Sequence, residues 1–230
     1  MGALLDLVFP PRCPACDVLL EATGPFCATC SLAAEPVPEP HCRTCAEPRV
    51  AGPVCPRCVQ HPPPFSRTVA AFVHEGPVAR AIHRFKYEDQ PLLARPLAAA
   101  LAAAARRLEL DPGTRLVPVP LHGARFRARR YDQAALLAAA VGRNLRIPVA
   151  WSALLRVRAT LRQVGLTDAQ REANVSGAFR AVGPLRRARL VLVDDVVTTG
   201  ATARAAASAL RHAGAADVQV LVLARAAGAP

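Results

Sequence analysis

Four Cys-x-x-Cys knuckles crowded into the first 58 residues constrain this chain more than any other feature. Cys13/Cys16, Cys27/Cys30, Cys42/Cys45 and Cys55/Cys58 are separated by ten, eleven and nine residues, and the rest of the 230-residue chain holds no cysteine. Knuckles repeated at this spacing bring four thiolates within reach of one ion, and zinc suits four sulfurs because it is soft and has no redox chemistry. Two structural zinc ions are therefore expected. Pairing of the first knuckle with the second and the third with the fourth is favoured, although a cross-braced arrangement is also geometrically possible. A four-cysteine site has no open coordination position, so the metal serves the fold rather than acting as a Lewis acid. A segment this short, with few large apolar side chains, needs such a staple to fold. His41 and His61 are read as surface residues, since the cysteines already complete both sets.

Charge divides the chain at the same place. The first 58 residues carry four arginines against six acids, leaving −2, whereas the remainder carries 25 bases and 11 acids, leaving +14. The second part is thus the one that faces a polyanion. The first residues, Met1 to Asp6, lack a basic region and meet Pro10 and Pro11 early, so no signal peptide and a cytoplasmic location are expected. The longest apolar run, Leu97–Ala105, is far too short to span a bilayer, and no membrane insertion is expected. A reducing cytosol disfavours disulfides and again favours metal. The proline-rich His61–Pro64 stretch marks a linker, which gives a double zinc-ribbon module over residues 1–62 and a second domain over 63–230.

Beyond that linker the pattern alternates strand and helix. Residues 68–73 read as a strand and 78–85 as a helix, followed by a helix over 92–108 and a buried strand over 115–120. A helix over 133–145, a short apolar segment at 147–151 and an Arg- and Thr-rich loop come next. A strand over 189–193, a helix over 200–212 and a strand over 217–223 close the chain. Such alternation implies an α/β fold with a mainly parallel sheet covered by helices on both faces.

The sharpest chemical signal follows the strand at Arg189–Val193: Asp194-Asp195-Val196-Val197-Thr198-Thr199-Gly200-Ala201-Thr202. Two carboxylates at a strand end can accept hydrogen bonds from vicinal ribose hydroxyls and help hold magnesium bridging to a pyrophosphate. N–H groups at the turn and helix start, with the Thr198, Thr199 and Thr202 hydroxyls, can enclose a 5′-phosphate, and Gly200 lets the backbone approach it. An ordinary capped helix explains one hydroxyl but not the paired acids. A Gly-x-Gly-x-x-Gly fingerprint is absent, which disfavours a dinucleotide site. A second cluster, Arg125, Arg127, Arg129 and Arg130 with Phe126 and Tyr131, is by default a solvated arginine face, and it also suits a pyrophosphate or the backbone and bases of single-stranded DNA.

The stretch from Arg189 to Thr202 resembles the signature of type I phosphoribosyltransferases, which bind 5-phosphoribosyl-1-pyrophosphate (PRPP). Together with the cysteine knuckles, the segments Ile82–Tyr87, Val117–Leu121, Arg158–Leu166 and Arg171–Phe179 resemble the ComF family over nearly the whole chain. That resemblance implies a type I phosphoribosyltransferase-like domain behind a zinc ribbon. It also implies PRPP with magnesium as ligand, and a part in DNA uptake alongside single-stranded DNA and competence proteins. An active transferase acting on a nitrogenous acceptor is the alternative. By the same resemblance, the turn after Val117–Pro120 lies near the pyrophosphate and the loop at 158–163 overhangs the site. Where the family usually has Arg-Gly-aromatic-Asn-Gln, this chain has Arg129-Arg130-Tyr131-Asp132-Gln133, losing a glycine and an amide. His74, His83 and His122 are available as acids or bases, yet no motif surrounds them.

Overall fold

A computed structural model describes residues 10–20, 24–48, 52–123, 130–160 and 167–226. The cysteine module contributes two short helices, α1 (Ala28–Ala33) and α2 (Pro56–Gln60), each beginning at the knuckle that ends a ribbon. Then follow β1 (Arg67–Val73), α3 (Gly76–Tyr87), a 3-10 turn (Pro91–Leu93), α4 (Ala94–Ala105), β2 (Arg115–Pro118) and α5 (Gln133–Leu145). The last part comprises β3 (Leu154–Arg156), α6 (Asp168–Val175), β4 (Phe179–Ala181), β5 (Arg189–Val197), α7 (Ala201–His212) and β6 (Asp217–Arg225). No described helix is long and apolar enough to cross a membrane.

The main sheet has the order β1-β6-β5-β2 with every pair parallel. Strand alternation sorts its side chains into two layers. Val191 and Val193 of β5 and Leu221 and Leu223 of β6 meet α3, α4 and α5 through Phe85, Leu97, Leu101 and Leu137. Leu190, Leu192, Val220 and Val222 face the other way, onto Ala203, Ala206, Ala207 and Leu210 of α7. Helices α4 and α7 present mostly alanine to the sheet, so their backbones lie close to it without large side chains between.

Both edges of the sheet are covered. At β2 the segment after α5 runs alongside, with Leu116 N–H donating to the Pro148 carbonyl and Ala150 N–H to that of Leu116. Gly142 makes this approach possible: a Cβ there would stand 2.8 Å from the Ile147 carbonyl oxygen. At β1 the cover is the proline-rich stretch between the two ribbons, where Pro36 bridges Phe72 and the Val73 N–H donates to the Glu35 carbonyl. An uncovered parallel edge would present unpaired N–H and C=O groups, so this segment is a structural element rather than a spacer.

The ribbons straddle that edge. Cys13, Ala15, Phe26 and Cys30 of the first join the core layer of α3 and α4, while Val37 and Ala46 join the α7 layer. Phe26 meets Phe72 edge-on with ring centroids 5.7 Å apart. Arg84 of α3 donates to the Cys13 and Pro14 carbonyls (3.2 and 3.1 Å) and pairs with Asp17 at 2.7 Å. On the opposite side, buried Arg225 pairs with Glu47.

Several boundaries differ from the sequence reading. The helix expected over 92–108 opens as the 3-10 turn and ends at Ala105. β5 and β6 run to Val197 and Arg225, four and two residues further than expected, because each supplies the other's backbone partners. The Arg- and Thr-rich loop contains the antiparallel β3–β4 pair and α6.

Candidate functional site

The eight cysteines fall into two groups, Cys13, Cys16, Cys27, Cys30 and Cys42, Cys45, Cys55, Cys58, with all Sγ atoms of each within 4.8 Å of one another. The grouping is sequential, not cross-braced. Cys16 and Cys27 stand 3.7 Å apart, as do Cys45 and Cys55. A tetrahedron with Zn–S bonds of ~2.3 Å has edges of ~3.8 Å, whereas a disulfide requires ~2.0 Å. The donor set therefore fits two structural zinc ions. Each leading knuckle turns the same way, through Asp17 at φ 67° and Ala46 at φ 58°. Burial opposes ionisation of Cys42, but N–H groups of Cys55, Cys45 and Thr44 outweigh it and bring the thiol down to about 7.

The second site lies where the carboxyl ends of β2 and β5 meet. Helix α5 packs on one face of the sheet and α7 on the other, and adjacent parallel strands whose following helices diverge leave a crevice between them. Asp194, Val196, Val197, Thr198, Gly200, Ala201, Thr202 and Ala203 line a pocket there, with Val119 beyond β2 and Val220 and Val222 behind. Gly200 has φ 80° and opens α7, whose start carries no side-chain cap; Thr199 Oγ accepts instead from the Ala201 N–H at 3.3 Å. The N-terminal end of α7 thus points its dipole into a pocket edged with hydroxyls and one carboxylate.

The two aspartates do not act side by side. Because β5 continues through them, Asp194 falls on the α7 face and Asp195 on the opposite one, where it pairs with Lys86 Nζ at 2.7 Å. Asp195 is 8% exposed. Burial, and next the Asp195 charge, raise the Asp194 carboxyl to about 7. His74, directly after β1, is pushed down by burial and then by Lys86. Asp132 caps α5 by accepting from the Ala135 N–H, also accepts from the Leu121 N–H, and is pushed up by burial.

Lys86 is the residue of this cluster to which the sequence reading gave no role; His74 stood there only as an available acid or base and Asp132 only as a departure from the related pattern. Lys86 had a signal: it is the chain's single lysine among 28 arginines. Arg125, Arg127 and Arg129 lie outside the described residues. Arg130 holds the left-handed φ of 64° where the related pattern has glycine, and reaches Asp89 at 2.9 Å on the surface. Tyr131 is not a free stacking platform. Its ring packs on Phe85 at 5.8 Å and its hydroxyl donates to the Phe85 carbonyl while accepting from the Gln90 N–H. Of the loop at 158–163, expected to overhang the site, residues 161–163 lie outside the described residues, and Arg158 donates to the Asn174 and Ser176 carbonyls at the end of α6.

Residues 4–59 match the double zinc ribbon domain. Along most of its length the chain is similar to DNA utilization protein YhgH of Escherichia coli K12, at 35% identity over 226 residues, 95% of this chain and 99% of the relative. It is 36% identical over 197 residues to competence protein F of Haemophilus influenzae, 81% of this chain and 85% of the relative. Among solved structures, the glutamine PRPP amidotransferase of B. subtilis complexed with ADP and GMP aligns with 56% of this chain and 26% of that one, at 22% identity and a TM-score of 0.36. The protein TT1426 from Thermus thermophilus aligns with 60% of this chain and 83% of that one, at 21% identity and a TM-score of 0.35. Scores this low carry no argument about ligand or reaction.

Proposed function

Because this chain belongs to the ComF family, with competence protein F and the DNA utilization protein YhgH, we propose that it binds PRPP or a related phosphoribosyl ligand and serves DNA uptake and the handling of single-stranded DNA. The observation that carries the ligand is the pocket in which Asp194 and the start of α7 converge. A 5′-phosphate fits the α7 N–H groups and the Thr198 and Thr202 hydroxyls, at the end of a helix dipole that favours anions. Asp194 would take the ribose hydroxyls or a magnesium ion. Magnesium sites commonly use one or two carboxylates and leave the remaining positions to water and substrate phosphates, so one pocket carboxylate is adequate. Such an ion would neutralise the pyrophosphate.

Calorimetric titration of the zinc-loaded protein with PRPP, with and without magnesium, tests this reading. Magnesium-dependent binding is expected, and Asp194→Asn should weaken it at least about tenfold, or ~1.4 kcal/mol. Absence of binding at millimolar PRPP would refute the assignment.

Turnover is the second reading, favoured by His74. Its imidazole is kept neutral near pH 7 beside the Asp195–Lys86 pair, as a general base requires. It predicts pyrophosphate release from PRPP on addition of a nitrogenous acceptor, lost in His74→Gln.

A further inference from the structure

Helix α3 ends in a cation that the ligand site described above does not use. The helix starts shortly after β1 and finishes with Lys86 at the carboxyl end of β5, so it crosses that edge of the sheet instead of running back down it. Buried Ile82 and Phe85 anchor it to the core, and Lys86 extends from its last turn to place Nζ 2.7 Å from Asp195 Oδ1. The side chains of Lys86 and Asp195 are 19% and 11% exposed, so most of the lysine stem is covered while the pair still meets solvent.

Two observations argue against a purely structural pair. The chain has 28 arginines and this one lysine, yet a guanidinium suits a nearly buried carboxylate better, because its planar fork bonds both oxygens. An ammonium has three donors spread around one nitrogen, so after Asp195 takes one the others can meet a second acceptor at another angle. Its charge is also felt on both sides of β5. It helps keep His74 neutral, after burial, and it eases the ionisation of Asp194, which burial and the Asp195 carboxylate oppose. The shape of the ligand says which of its groups reaches this nitrogen. With the 5′-phosphate on the α7 N–H groups and the ribose over Asp194, C1 lies on the far side of the sugar ring from the 5′-phosphate. A substituent on C1 therefore leads away from α7 and over the strand end, to the face that carries Asp195 and Lys86. We propose that Lys86 binds the C1 diphosphate of the phosphoribosyl ligand, its ammonium bridging Asp195 and a diphosphate oxygen. The inference rests on the phosphoribosyl reading of the pocket, and it adds a cation from a separate element that favours a sugar diphosphate over a sugar monophosphate. Asp195 is then a positioning residue that aims the ammonium.

The full zinc-loaded chain is titrated by calorimetry, in magnesium, with PRPP and with ribose 5-phosphate, which lacks the diphosphate. Lys86→Met should weaken PRPP at least about tenfold, as loss of one charge-assisted bond implies, and leave ribose 5-phosphate within about twofold. A lysine that only neutralises Asp195 would weaken both ligands together. Because Lys86 is the single lysine, it can also be followed in the unaltered protein by trace acetylation read by mass spectrometry. Saturating PRPP should slow its acetylation, and saturating ribose 5-phosphate should not. Far-ultraviolet circular dichroism and zinc content show whether Lys86→Met folds, and if it does not, the acetylation decides alone. Equal losses for the two ligands, or acetylation at the same rate with and without PRPP, would overturn the assignment while leaving the pocket reading intact. If wild-type protein does not bind PRPP at all, the phosphoribosyl reading itself fails and takes the inference with it.

Discussion

Replacing Asp194 with Asn should make the protein more stable while impairing its ligand site. Asp194 is pushed from 3.8 to about 7, first by burial and second by the Asp195 carboxylate. In the unfolded chain the same group ionises in the ordinary carboxylate range. Between those two values the native state therefore holds more protons, and stability falls as pH rises. The penalty is absent below about pH 4, grows by roughly 1.4 kcal/mol per pH unit, and levels off above about pH 7 at up to ~4 kcal/mol. Asparagine removes the charge but keeps an acceptor for the Asp195 N–H, which now donates to Asp194 Oδ1 at 2.8 Å. Asp194→Asn should accordingly stabilise the zinc-loaded protein by about 4 kcal/mol at pH 8 and about 3 at pH 6. Urea unfolding of both proteins at matched pH measures this: zinc is common to the two, and the repulsion between Asp194 and Asp195 that the substitution removes is already part of the expected gain. Equal stability at pH 8, or a gain that grows as pH falls, would show that the carboxylate is not held against its charge. A gain in stability accompanied by loss of PRPP affinity is the usual signature of a residue kept for function.

Chelating zinc should lower the stability of the α/β half as well as the ribbons. Losing the Phe26–Phe72 contact and the burial of Val37 costs about 4 kcal/mol, or about 10 °C in Tm, and an unchanged melting of the remaining helical signal would count against this. Gly200→Ala should cost about 1–2 kcal/mol from its φ of 80° alone, since the added Cβ would meet only Val197 Cγ2 at 3.9 Å; a variant as stable as wild type would indicate that the turn relaxes. Arg130→Gly should stabilise by up to about 1 kcal/mol, because relief of the left-handed φ outweighs an exposed pair with Asp89, and denaturant midpoints would reveal any net loss.

What the sequence by itself determined was local. The knuckle spacing specified two tetrathiolate sites because ligands within one ribbon are near neighbours in the chain. The helix over Gln133–Leu145 was legible to its last residue, since Asp132 caps it and its apolar period is regular. The turn at Thr198–Gly200 was legible because a glycine and hydroxyls at a strand end have few other uses. Tertiary structure decided the rest. Asp194 and Asp195 look like one clamp in sequence, but pairing with β6 extends β5 through both and sends them to opposite faces, where Lys86 claims one. The proline-rich stretch between the ribbons looks like a spacer until β1 needs an edge partner. β3 and β4 are three residues each, too short for alternation to stand out, and only their packing on α7 reveals which side chains remain outside. Periodicity and spacing are properties of neighbours in the chain, whereas strand order, edge cover and charge pairing depend on residues dozens of positions apart, which only the packed core brings together.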